Sequence, residues 1–164
     1  GGVGKTTLAK EVYREVVKEK LFDDVVIILN VKEKKDNEKI QNEITRKLSM
    51  DVDESKDMGT RASLLRARIK DGKTLVILDD ILERIDFEAV GLVGVPNCKL
   101  LLTSREKKVF FSDMRTQKEF PLGFLSEKES WSLFEKMAGD VVKDNRILKE
   151  ATQLAKKCGG LPLA

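Results

Sequence analysis

Apolar residues return along this chain in two alternating rhythms, and that alternation predicts its architecture. Leu8, Val12 and Val16, with Ala9 and Val17 beside them, recur at helical spacing and predict a helix over residues 5–20. Val25-Val26-Ile27-Ile28-Leu29 follows as an unbroken, β-branched run, the form of a strand covered on both faces of a parallel sheet. Ile40, Ile44 and Leu48 mark a second helix, and Leu64, Leu65 and Ile69 a third that stops near Gly72. Between those two helices, residues 51–59 are charged and aperiodic, as in an exposed loop. Leu75-Val76-Ile77-Leu78 predicts a second strand ending in Asp79-Asp80, and a short helical piece is expected around Phe87. Lys99-Leu100-Leu101-Leu102 predicts a third strand, ending in Thr103-Ser104-Arg105, and a last short strand is expected over residues 120–124.

Strands alternating with helices imply parallel strands joined by crossover helices, hence an α/β three-layer domain. After Leu125 the rhythm is helical only. Ser126 with Glu129 three places on is a capping box. It opens a helix carrying Trp131, Leu133, Phe134 and Met137. A further helix, from about residue 144, carries Ile147, Leu148, Ala151, Leu154 and Ala155 and stops at Gly159-Gly160. This places a boundary near residue 125, with an α/β domain over 1–125 and the start of a helical module over 126–164. Phe22, Trp131 and the Leu/Ile stripes are expected in the core, and residues 32–35 as a solvated turn.

A length of 164 residues fits one domain, or one with part of a second. The 31 basic and 28 acidic residues are interleaved, the net charge is +3, and aromatics are few, which argues against a dedicated nucleic-acid surface. No apolar run approaches membrane-spanning length. Cys98 and Cys158 are lone and far apart, so a reduced, intracellular and cytoplasmic setting is expected. The chain has no histidine, which excludes His-based zinc sites and Ser–His or Cys–His catalysis within it.

Candidate chemistry begins at the first residue. Gly1-Gly2-Val3-Gly4-Lys5-Thr6-Thr7 is most of a phosphate-binding loop, G-x-x-x-x-G-K-[ST], whose first glycine would lie two residues before Gly1. The strand that leads into such a loop is therefore expected upstream, so that the first strand of the sheet is missing from this chain. Glycines let successive N–H groups turn toward an anion, and the following helix adds its positive end. Lys5 would reach the β- and γ-phosphates and the Thr6 hydroxyl would ligate Mg²⁺. The plainer alternative is a glycine-rich turn capping a helix.

The strand ending in Asp79-Asp80 supports the loop reading independently. It puts carboxylates at the C-terminal edge of a parallel sheet, where ligands of α/β proteins bind. Asp79 would hold Mg²⁺ through its water shell, and Asp80 is placed to orient or deprotonate an attacking water. The alternative is an acid pair capping the next helix. Arg105 also ends a strand and could meet a γ-phosphate, or be a solvated arginine.

The blocks GGVGKTT, LVILDD, KLLLTSR, FLSEKESWSLFEKMAGD and CGGLPLA, in that order, resemble the NB-ARC nucleotide-binding domain of plant disease-resistance proteins (the NBS-LRR family). The resemblance runs essentially end to end and looks like the coiled-coil, non-TIR branch, although Leu82 stands where that branch usually has Trp. It implies a P-loop NTPase fold of the STAND type, followed by the start of a helical module called ARC1. It also implies an ADP/ATP switch in plant defence: ADP-bound at rest, activated by exchange for ATP, and at most a slow ATPase.

By resemblance, Gly1, Gly2, Val3, Gly4, Lys5, Thr6 and Thr7 bind nucleotide phosphates, and Thr6 and Asp79 hold Mg²⁺. Asp80 and Arg105 are the catalytic acid and the γ-phosphate sensor, and Leu161-Pro162 of the Gly160-Leu161-Pro162-Leu163 motif lies near the base. Implied partners are the nucleotide, intramolecular leucine-rich repeats, an N-terminal signalling domain and self-association on activation, with no nucleic acid. A cycling ATPase or phosphotransferase, or a scaffold with structural nucleotide, are the competing readings. A guanine-specific site is disfavoured because no N-K-x-D segment occurs. Without the upstream strand the segment alone is expected to fold poorly and to bind nucleotide weakly, since buried sheet edges would lack partners.

Overall fold

A computed structural model describes residues 2–33, 36–53, 56–106, 116–144 and 147–162. The chain groups into two compact units, one of Thr6–Gln117 and one of Lys118–Ala164 together with Gly1–Lys5.

The larger unit is built on three parallel strands, β1 (Asp24–Ile28), β2 (Thr74–Ile81) and β3 (Cys98–Ser104), in the spatial order β1-β2-β3. Val26 pairs with Val76, and Val76 with Leu100. The central strand is buried at all eight positions, which explains its unbroken apolar run. The outer two alternate or are only half-buried, so the expected two-sided burial of residues 25–29 holds on one face of β1 and is partial on the other.

One face of the sheet is covered by helix α1 (Lys5–Lys18). Ala9 and Val16 pack on Leu75 and Ile77, with Val12, Tyr13, Phe22, Val25, Ile27 and Leu101 around them. Leu8 and Val17, expected on that face, are 47% and 46% exposed. The inward stripe runs 9-12-13-16, one position round from the stripe 8-12-16, with the small Ala9 rather than Leu8 buried against the sheet.

The opposite face meets α2 (Asn37–Lys47) and α3 (Met58–Ile69), whose Ile40, Ile44, Leu65 and Ile69 close over Val26, Ile28, Val76 and Leu78. Leu64, expected inward, lies at the boundary with solvent. The helix starts are set by carboxylates. Asp36 accepts from the Lys39 N–H and Asp57 from the Thr60 N–H, satisfying donors that a first turn leaves open. Buried Gln41 uses its amide to reach the carbonyls of Met58, Ala89 and Val90, tying α2 to the start of α3 and to α4 (Phe87–Val90). Three layers result, with α1 on one side and α2 to α4 on the other. Burial pushes the Cys98 thiol up to about 11, so it acts as a packing group.

In the smaller unit, α5 (Glu127–Ala138), a 3-10 segment (Gly139–Lys143) and α6 (Leu148–Lys157) follow one another. Ser126 and Glu129 form the expected reciprocal capping box. The Trp131 and Phe134 rings stack at 5.9 Å, but α5 has no fully buried residue and Met137 is 79% exposed. Ala151 and Ala155 are the buried positions of α6, whereas Leu154 faces solvent. The last short strand expected over residues 120–124 does not form, and Phe120 and Phe124 are 69% and 71% exposed. Among the described residues, no helix is long and apolar enough to cross a membrane.

Candidate nucleotide site

The ends of β1, β2 and β3 lie at one edge of the sheet, and the acidic pair ends β2. Parallel strands carry everything that follows their last residues to the same side, so the edge collects side chains far apart in sequence. β2 continues three residues further than its apolar run, through Asp79 and Asp80 to Ile81, with a register irregularity between Leu78 and Ile81. Asp80 carries it, with φ +60°, a left-handed conformation that Asp tolerates better than most residues and that accumulates where function needs it. The irregularity turns two successive carboxylates to different partners.

Asp79 is fully buried, and hydroxyls reach both its oxygens. Thr6 Oγ1, in the first turn of α1, donates to Oδ2 at 2.7 Å, and Thr103 Oγ1, near the end of β3, donates to Oδ1 at 2.6 Å. Thr103 Oγ1 also accepts the backbone N–H of Asp80 at 2.9 Å, so one hydroxyl fixes both acids. In the sequence Thr103 stands out only as part of a strand end. Its signal was the register: β3 runs parallel beside β2, which brings residue 103 level with the acids.

Asp80 faces two cations. Lys32 Nζ lies 2.6 Å from Oδ2, and Arg105 Nε lies 3.1 Å from Oδ1, with a second guanidinium nitrogen at 3.5 Å from Oδ2. The bond from Lys32 outweighs the cost of burial, and with the charge of Arg105 it holds the Asp80 carboxyl below the usual carboxylate range. Lys32 was expected in a solvated turn, and it does lie exposed in a 3-10 turn (Val31–Glu33). What the sequence did not show is that this turn, reached after β1 through Asn30 at φ +54°, sets Lys32 beside the β2 end. The readable signal was its place just after a strand, at the ligand edge of a parallel sheet.

In the glycine-rich segment, Gly2 and Gly4 have φ of +83° and +88°. A side chain there would be strained, and a Cβ on Gly4 would lie 3.6 Å from Pro162 Cγ. The segment therefore meets the Leu161-Pro162 end of the same unit, two candidate site elements brought together from opposite ends of the chain. Lys5 opens α1, Val3 is half-buried, and Thr7 is exposed. Gly1 and Leu163 lie outside the described residues.

The donors fit magnesium. Thr6 and Asp79 offer hard oxygens 2.7 Å apart, and among the described residues no cluster of three or more His, Cys, Asp or Glu competes as a metal cage. Few protein ligands suit an ion that keeps its waters and shares substrate phosphates.

Comparison with known proteins agrees with this geometry. The NB-ARC domain model matches residues 1–144. The chain is similar, over all its length, to three proteins of Arabidopsis thaliana. They are "Probable disease resistance protein At1g61300" at 34% identity, "Disease resistance protein UNI" at 33% and "Disease resistance protein At4g27190" at 35%. It spans about a fifth of the length of these curated relatives, 22%, 19% and 17% respectively. With a three-stranded parallel sheet, a glycine loop opening α1 and an acid pair closing β2, the chain belongs to the NB-ARC family of P-loop nucleotide-binding domains.

Proposed function

We propose that this chain is the ADP/ATP-binding switch of a plant immune receptor, in which the nucleotide held matters more than turnover. The observation that carries the reading is the Thr6–Asp79–Thr103 hydroxyl–carboxylate chain beside a carboxylate already committed to two cations. Gly1, Gly2, Val3, Gly4, Lys5, Thr6 and Thr7 wrap the phosphates, with backbone N–H groups and the α1 dipole as anion donors. Thr6 and Asp79 would hold Mg²⁺, which would supply charge to neutralise phosphate oxygens. Leu161 and Pro162 lie against the base.

Asp80 orients a water, and Arg105 meets the terminal phosphate. In the observed arrangement both Asp80 oxygens accept from cations, so the carboxylate has little capacity left to take a proton. That favours slow hydrolysis over a steadily cycling ATPase, which would turn over near ~10 s⁻¹. An ADP-bound resting state, exchange for ATP on activation, and contacts with leucine-rich repeats, a signalling domain or a second copy belong to the same proposal. So does the division into a nucleotide-binding domain over 1–125 and a helical module over 126–164.

The test is the nucleotide that co-purifies with the protein carrying this chain. ADP is expected, and it should be lost or weakened in Lys5→Ala. An empty site or a guanine nucleotide in the unaltered protein refutes the proposal.

A further inference from the structure

Beyond Leu78 and its partner Leu102 the two strands fall out of step: β2 takes three residues to reach Ile81, while β3 takes two to reach Ser104, its partner there. The extra residue makes a bulge, which disrupts the regular ladder and bends the chain that carries it. Asp80 lies within that bulge, and Arg105 follows the last residue of β3. The buried Ser104 hydroxyl spans the place. It donates to the Ile81 carbonyl at 2.7 Å, one residue after Asp80, and accepts the Glu106 N–H at 3.0 Å, one residue after Arg105. The Glu106 carbonyl is a more distant acceptor, at 3.3 Å. One hydroxyl thus ties together the two backbone segments that carry Asp80 and Arg105. Arg105 in turn bonds both Asp80 oxygens, at 3.1 and 3.5 Å, so a slip between those segments moves the guanidinium.

We infer that Ser104 is a positioning residue that acts through Arg105: its hydroxyl fixes the end of β3 against the β2 bulge and so aims the guanidinium at a terminal phosphate. The inference rests on the reading of Arg105 given under Proposed function. A hydroxyl that served the backbone alone would support both nucleotides alike. One that aims Arg105 supports a triphosphate and leaves a diphosphate, which lacks the phosphate Arg105 meets, nearly untouched. The signature is therefore a ratio of affinities.

The experiment measures, by calorimetry in Mg²⁺, the affinity for ADP and for a non-hydrolysable ATP analogue in the protein carrying this chain. Ser104→Ala should lower affinity for the ATP analogue relative to ADP by about 3- to 10-fold, the range of one intramolecular hydrogen bond. Ser104→Thr, which keeps the hydroxyl on a side chain suited to a strand, should stay within about twofold of the unaltered ratio. Arg105→Ala should lower the ratio by itself, and Ser104→Ala/Arg105→Ala should match Arg105→Ala within about twofold, since both changes remove one effect. An unchanged ratio in Ser104→Ala, a threonine variant as impaired as the alanine one, or a further fall in the double variant overturns the inference and leaves the switch intact. Loss of ADP binding together with ATP-analogue binding in Ser104→Ala makes the hydroxyl a structural group and overturns it equally. An Arg105→Ala ratio equal to that of the unaltered protein overturns the reading of Arg105 and this inference together.

Discussion

Replacing Thr103 with valine tests the site where it is most economically built. The two side chains have nearly the same shape, so the change opens no cavity and removes only a hydroxyl. That hydroxyl donates to Asp79 Oδ1 at 2.6 Å and accepts the Asp80 N–H at 2.9 Å. The first bond is to a fully buried carboxylate, and hydrogen bonds to charged groups contribute about 1.5–3 kcal/mol. The second leaves a part-buried backbone donor unpaired, at about 1 kcal/mol or more. The combined loss of roughly 2.5–4 kcal/mol falls partly on folding and partly on the orientation of Asp79.

Partners that orient a metal ligand typically account for ~10–100-fold in metal affinity. Thr103→Val should therefore weaken Mg²⁺-dependent nucleotide binding by about that factor, with a smaller effect when Mg²⁺ is chelated. Thr103→Ser, which keeps the hydroxyl, should bind within a few-fold of the unaltered protein. Titration of a fluorescent ADP analogue with and without Mg²⁺ reads both. Unchanged Mg²⁺-dependent affinity in the valine variant, or an equally damaged serine variant, refutes the assignment of Thr103 as the residue that aims Asp79.

Other outcomes follow from the scaffold. Leu78→Ala removes a fully buried side chain from the central strand and should cost about 2–5 kcal/mol, seen as a lower melting temperature or loss of expression. Gly91 has φ +98°, and a Cβ there would lie 2.7 Å from the Ala62 carbonyl oxygen, so Gly91→Ala should separate α4 from α3 and raise hydrogen exchange in both. Unchanged exchange would contradict the close approach.

The bond from Ser126 holds the Glu129 carboxyl below its ordinary value, so its contribution to the α5 start is present above the unfolded-state pKa and lost as pH falls through the folded one. Fraying of the first α5 turn should grow as the solution is acidified below the usual Glu range. Ser126→Ala should show that fraying already at neutral pH.

Much of this molecule was legible in its residues because two periodicities are hard to mistake. The β2 run is apolar at every position of a strand covered on both faces, and Ile40, Ile44, Leu65 and Ile69 hold the helical interval. Where one face had to be chosen among close alternatives, the pattern misled. Leu8 and Leu154 are apolar and lie in the right elements, yet small alanines beside them, Ala9 and Ala155, take the buried positions. The expected strand over 120–124 failed because Pro121 cannot donate to a ladder and Gly123 has no side chain to pack, leaving two exposed phenylalanines with no strand between them.

The glycine loop, the acid pair and their order along the chain were determined by sequence alone, since a phosphate-binding backbone needs glycines and a metal-holding edge needs a carboxylate after an apolar strand. Only the tertiary structure decided which partner each acid takes. Thr103 reached Asp79 through the parallel register of β2 and β3, and Lys32 reached Asp80 through the left-handed turn at Asn30. Those contacts join residues 24 and 48 positions apart in the sequence. No local pattern encodes such intervals. They follow from where a parallel sheet places the ends of its strands.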